Sequence, residues 1–148
     1  MATLMPFAKA YGAIAGFCFG FLSIFMFDAA AGAVGQWTII TGVAYGLIGV
    51  LASFFFAKWN THGIREYVIF SIFATLLYDA ATGLSIGPLF FHQPFMDALL
   101  GQIPFTLYHL GGNIILAAIA SPFIERWLLK NPKLESDRVM ERMRALFV

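Results

Sequence analysis

Four runs of apolar residues, separated by short polar or turn-forming stretches, organise this chain: roughly Ala8 to Phe27, Thr38 to Ala57, Arg65 to Gly83 and Ile103 to Leu128. Each approaches or exceeds the 20 or so residues that a helix needs to cross the hydrocarbon of a bilayer. The pattern predicts an all-α integral membrane protein, a bundle of about four transmembrane helices built as two tandem two-helix units. The first run ends in Asp28-Ala29-Ala30-Ala31, which could mimic a signal cleavage site, but the same Asp-Ala-Ala ending recurs mid-chain, so it is read as a retained helix. After Asn131-Pro132 the pattern changes. Val139, Met140, Met143, Leu146 and Phe147 recur at helical spacing among Arg138, Glu141, Arg142 and Arg144, which predicts a cytoplasmic amphipathic tail over 132–148 on the anionic leaflet.

Composition supports lipid as the solvent. The chain is 60% hydrophobic and 11% charged, against roughly 25% charged in soluble domains, and no second, soluble domain fits in what remains. The lone Cys18 can form no intramolecular disulfide. Charge then sets orientation: the nine Lys and Arg residues fall at Lys9, at Lys58 and Arg65, and from Arg126 onward, while 28–37 and 84–102 contain none. The positive-inside rule places both termini and residues 58–65 in the cytoplasm of a cell-membrane protein, with the other two connections outside.

The outer side instead carries Asp28, Asp79 and Asp97. Asp28 and Asp79 head matching motifs, Phe27-Asp28-Ala29-Ala30-Ala31-Gly32 and Tyr78-Asp79-Ala80-Ala81-Thr82-Gly83. Each is expected to close an outward-running helix, where the macrodipole disfavours an anion by about 0.3–1 kcal/mol. An unfavourable choice made twice marks a candidate site, with a boundary or turn-capping role as the plain alternative. Gly35-Gln36 and Gly101-Gln102 then introduce the second and fourth spans, which extends the internal repeat and suggests parallel copies. The second unit carries a longer external connection, Leu84 to Gln102, expected to be a turn-prone loop with a short helix through Leu100, serving as a lid or an interfacial anchor.

Two further patterns bear on packing and chemistry. Ala8, Gly12, Gly16 and Gly20 form a small-residue stripe that lets another helix approach, within the chain or on a partner. His109 and Asn113 share a face of the fourth span, next to Tyr108, at a depth where polar groups face the bundle or a wet cavity. The candidate substrate-binding set is Asp28, Gln36, Trp37, Asp79, His92, Tyr108, His109 and Asn113, lining one outward-facing pocket; single interhelical hydrogen bonds are the alternative for each. No paired membrane-depth histidines, Cys-x-x-Cys, His-Glu-x-x-His, Gly-x-Ser-x-Gly or phosphate loop is present. No cofactor, metal, enzymatic activity or nucleic-acid partner is expected.

The stretch from Gly12-Ala13-Ile14-Ala15-Gly16 through Asp28 and Gly35-Gln36-Trp37-Thr38 to Tyr45-Gly46-Leu47-Ile48-Gly49-Val50-Leu51-Ala52 resembles the substrate-binding (S) components of energy-coupling-factor transporters. Ile103-Pro104-Phe105-Thr106-Leu107-Tyr108-His109-Leu110-Gly111-Gly112-Asn113 is similar to their last helix. The resemblance implies capture of a vitamin-like metabolite, polar or cationic, with transport driven by a coupling membrane protein and two cytoplasmic ATPases. It also implies that the small-residue stripe would face the coupling protein. The family usually has six spans, where four are expected here. Its cobalt and nickel members carry a His beside the initiator Met, whereas this chain opens Met1-Ala2-Thr3, so metal uptake is not expected. A small non-transporting membrane subunit, whose polar residues only hold helices together, is the alternative.

Overall fold

The computed structural model describes residues 1–58 and 63–129. Among these residues the chain forms long helices and no strand. They are α1, Leu4–Ala30; α2, Gln36–Lys58; α3, Ile64–Phe91; and α4, Phe95–Ile124, which runs on into a π-helical turn, Glu125–Leu129. Four helices are long and apolar enough to cross a membrane, so the architecture is that of an all-α, multi-pass membrane protein. The amphipathic tail expected over 132–148 lies outside the described residues.

Short connections make successive helices antiparallel, and α1/α2 and α3/α4 pack as two hairpins. Lys58, Arg65 and Arg126 gather at one end of the bundle, and Lys9 joins them through an ion pair with Glu125 at 2.7 Å. This is the basic end. The α1/α2 and α3/α4 turns form the far end.

Glycines join the first hairpin. Gly16 and Gly49 place backbone directly against backbone, and a Cβ on Gly20 would stand 2.7 Å from the Tyr45 carbonyl oxygen. Phe17 and Phe21 lie over Gly46 and Gly42. Helices pressed this closely gain dispersion contacts, the main source of association where lipid removes any hydrophobic advantage.

The expected stripe of Ala8, Gly12, Gly16 and Gly20 does not lie along one helix. Gly12 adopts φ 86°, ψ −177° and breaks α1, a left-handed φ that glycine alone takes at little cost. In an unbroken helix residues 8 and 16 would be roughly 12 Å apart along the axis. Instead Ala8 Cβ lies 2.8 Å from where a Gly16 Cβ would be, and the rings of Phe7 and Phe19 stack at 4.5 Å. Residues 4–11 therefore fold back as a short helix against the start of the span. Leu4, Met5 and Ala8 are fully buried there, in one cluster with Ile48, Phe56, Tyr67 and Phe70. Gly16 and Gly20 are spent on α2, inside the chain, and Gly12 faces open space.

The second hairpin is the taller one. α3 has 28 residues and α4 has 30, against 23 in α2. The expected loop from Leu84 to Gln102 is helical except at 92–94, so it is an overhang of α3 and α4, not a lid. Gly83, Gly87 and Pro88 imitate a loop in the sequence. The helix runs through them, and the absence of a side chain at Gly83 and Gly87 leaves room for the side chains of Gln102 and Gln93. His92 stops α3 in the left-handed conformation, φ 51°, and the N–H of the next residue, Gln93, donates to the Gly87 carbonyl at 3.2 Å.

The hairpins meet along α2 and α3. At the basic end Phe55, Phe56, Tyr67 and Phe70 form an aromatic cluster, with ring centroids 4.9 Å apart for Phe56 and Tyr67 and 5.1 Å for Phe55 and Phe70. Midway, Tyr45 meets Tyr78 edge-on at 5.5 Å.

Candidate functional site: a polar seam and a crevice

Tyr67, Ser71, Thr75 and Asp79 recur at intervals of four along α3, so they share one face, and all four are buried. On α4 and its π-helical turn His109, Asn113, Ser121 and Glu125 recur at multiples of the same interval. Laid antiparallel, the two rows interlock. Asp79 Oδ1 lies 2.7 Å from His109 Nδ1, Asn113 Nδ2 donates to Thr75 Oγ1 at 3.0 Å, and the Tyr67 hydroxyl donates to Glu125 Oε2 at 2.6 Å. Lys9 completes the basic end of the seam, bonded to Glu125 Oε1 and lying 5.6 Å from the centre of the Tyr67 ring. Ser121 Oγ donates to the Ala2 carbonyl, tying the folded-back segment to α4.

Asp79 is not at a helix end. α3 continues for about three turns beyond it, so the dipole penalty expected of a terminal anion does not apply. Its carboxylate is 1% exposed and faces α4. Asp79 Oδ2 and Ser71 Oγ are buried without a hydrogen-bond partner, an expensive arrangement in a low-dielectric interior.

Asp28 does lie in the last turn of α1, but its setting is different from the one expected. Its Oδ2 accepts from Thr38 Oγ1 at 2.6 Å, and the same hydroxyl accepts from the Gly35 N–H at 3.0 Å. The carboxylate thus sits at the start of α2, whose positive dipole end offsets the unfavourable end of α1. Here the boundary role is the one the geometry carries. In each hairpin the repeated Asp bonds to the second helix of its own pair, Thr38 or His109, which is what remains of the repeat at the level of contacts.

Beside the upper seam a crevice of about 400 Å³ opens between α2, α3 and α4, lined among others by Thr41, Tyr78, Thr82, Gln93, Gln102 and Phe105. Gln102 lies over Gly83 and donates to Thr106 Oγ1 at 3.1 Å. Trp37 and Phe91, with ring centroids 6.1 Å apart, join α2 to the overhang of α3 at its rim. His109 stands behind two of the crevice walls, 5.5 Å from the Phe105 ring and 6.4 Å from Tyr78.

The single pocket expected from eight residues is therefore divided. Asp79, His109 and Asn113 come together on the seam, and Trp37 guards the rim with its indole bonded to the Ala33 carbonyl. Asp28 belongs to the α1/α2 turn. Gln36 and His92 are exposed near the far end, and Tyr108 is 84% exposed on the outer surface of α4. Sequence reasoning missed Ser71, Thr75, Thr82 and Gln102, although the four-residue spacing of Ser71, Thr75 and Asp79 would have found the first two. It also missed Lys9 with Glu125, which are brought together only by the turn at Gly12. Another depression, of about 420 Å³, lies at the basic end between Ile64, Arg126 and Trp127, but the buried carboxylate beside it, Glu125, is already held by Lys9 and Tyr67. Among the described residues no cluster of His, Cys, Asp and Glu could hold a metal.

Fold and site together define an all-α protein with four helices long and apolar enough to cross a membrane, and with an Asp–His pair between α3 and α4 near a crevice of mixed, mainly apolar lining. Comparison with family models, with curated proteins and with solved structures returned no match for this chain.

Proposed function

We propose that this protein captures a small polar solute, vitamin-like or cationic, in the crevice between α2, α3 and α4. The observation that carries the reading is a crevice of about 400 Å³ in which Thr41, Thr82, Gln93 and Gln102 stand within a mostly apolar lining, near the Asp79–His109 pair, whose carboxylate is buried and whose imidazole is partly exposed. Its volume falls within the roughly 300–1,000 Å³ of small-ligand sites, and ionisable residues inside membrane bundles mark ion or substrate paths by default. The Lys and Arg distribution puts the far end, and the crevice mouth, outside the cell. From the sequence resemblance comes the wider proposal, an energy-coupling-factor S component working with a coupling protein and two ATPases; co-purification with such partners tests it. No reaction is proposed, so the chain is read as a transport component and not an enzyme.

Thermal unfolding of purified protein across a panel of vitamins, amines and carboxylates tests capture. A bound solute at a hundred times its Kd stabilises by about 2.7 kcal/mol. Gln102→Leu and Thr82→Val are expected to remove that gain while leaving the unliganded protein folded. The second reading, a subunit whose polar groups only join helices, is favoured by the Asp28–Thr38 and Asn113–Thr75 bonds. It wins if no solute stabilises the protein and alanine at Asp79, His109 and Asn113 merely lowers stability.

A further inference from the structure

The Asp79–His109 pair has an unbalanced charge that the solute-capture reading does not use. With a neutral imidazole the pair carries one negative charge, and Asp79 Oδ2 has no partner to spread it. The groups facing the pair do not neutralise it. Thr75 and Asn113 on the seam are uncharged, Tyr78 on α3 and Tyr45 on α2 are phenols, and Asp28 on α1, whose field reaches Tyr78, is itself an anion. The Met1 amine is bonded to the Tyr45 hydroxyl, with Tyr78 standing between that ring and His109, and burial pushes the amine's pKa down to about 6, so at neutral pH it is mostly uncharged and does not balance the pair. The cationic side chains among the described residues, Lys9, Lys58, Arg65 and Arg126, all lie at the basic end, and Lys9 is committed to Glu125. A buried ion without compensation is strongly disfavoured in such an interior. One added proton, taken by the imidazole, leaves a carboxylate–imidazolium pair of zero net charge.

We infer that Asp79 and His109 together form a proton-binding site within the membrane, holding one shared proton that exchanges with the crevice. Access runs through His109: Asp79 is sealed, a third of the His109 side chain is exposed, and its ring neighbours Tyr78 and Phe105, though not His109 itself, line the crevice. The imidazole is the group that meets and carries the proton, and the negative carboxylate beside it holds it there. Protonation turns His109 from a neutral ring into a cation 5.5 Å from the Phe105 ring, so loading the site places a charge next to the crevice wall. The chemical class of the ligand is the proton itself, either as coupling ion or as cargo. The inference goes beyond solute capture and does not rest on it.

The test uses the full chain in lipid nanodiscs, with no solute added. Nitrogen-15 histidine NMR, with His62→Gln and His92→Gln so that His109 alone reports, follows its titration. The expected result is a single step in which Asp79→Asn weakens proton affinity at His109 at least tenfold, whereas Asp28→Asn and acetylation of the Met1 amine each leave it within twofold. An Asp79→Asn titration within twofold of the parent overturns the inference, as does an effect of Asp28→Asn as large as that of Asp79→Asn. Should Asp79→Asn fail to fold, the parent protein decides: infrared difference spectra should show the carboxyl and imidazole bands changing over the same pH interval, and independent changes would sink the idea. Because no solute enters the assay, a failure here leaves the capture reading standing, and a failed solute screen leaves this one standing.

Discussion

At Gly49 a methyl group has nowhere to go. The Gly16 backbone occupies the space, with the Leu4 side chain 3.1 Å from the same point. Gly49→Ala is expected to cost about 1–3 kcal/mol, the usual toll of overpacking a rigid contact, whereas Gly111→Ala and Gly112→Ala, which meet nothing within 4 Å, should stay within about 0.5 kcal/mol. Thermal unfolding in detergent checks the contrast, and equal effects at Gly49 and Gly111 would contradict the packing described. The same scale shows what single residues disclose beforehand. Asp79, His109 and Asn113 were legible because polar groups in apolar helices are expensive and conspicuous. Asp28 was equally conspicuous, yet its partner Thr38 was not, since a hydroxyl inside a hydrophobic run attracts no notice until a carboxylate is seen beside it. Tyr108 shows the converse: one position from His109, it points about 100° away around the helix and out of the site.

Among elements, the folded-back segment of α1 departs most from expectation. A run of apolar residues from Ala8 onward has the same spelling whether or not the helix reverses, and a glycine at 12 inside a small-residue stripe looks like packing. Only the positive φ of Gly12 distinguishes the two. The reversed segment is held at its base by Lys9 and Glu125, whose side chains are 14% and 9% exposed. Removing one partner strands the other, so Lys9→Met or Glu125→Gln alone should cost roughly 3 kcal/mol, and the double variant less than the sum, because a paired loss leaves no buried charge. With the exposed Cys18 first replaced by Ala, a cysteine placed at Ala8, buried in the parent protein, should react with maleimide faster in either single variant; unchanged reactivity would mean that the ion pair does not hold the segment. The overhang of α3 and α4 was hidden for another reason. Its Gly, Ser and Pro residues weaken helix propensity without forbidding a helix, and packing against Gln93 and Gln102 decides the outcome.

At the scale of the whole molecule, the four long apolar helices among the described residues followed from hydropathy, because length and apolar content suffice to define a spanning helix. How the hairpins lean on each other did not, since lipid-facing and neighbour-facing residues are equally apolar here. α2 and α3 share a dense aromatic cluster at the basic end, but at the far end they part around the crevice, bridged by Trp37 and Phe91. Spin labels at positions 37 and 91 are therefore expected to report a broad distance distribution, and labels at 51 and 73, near the aromatic cluster, a narrow one; equal widths would count against a bundle firm at one end only. With four rings packed at the basic end, any relative movement of the two hairpins would show first at the far end, as a change in the width of the gap between Trp37 and Phe91, and it would need no hydrogen bond inside either hairpin to break.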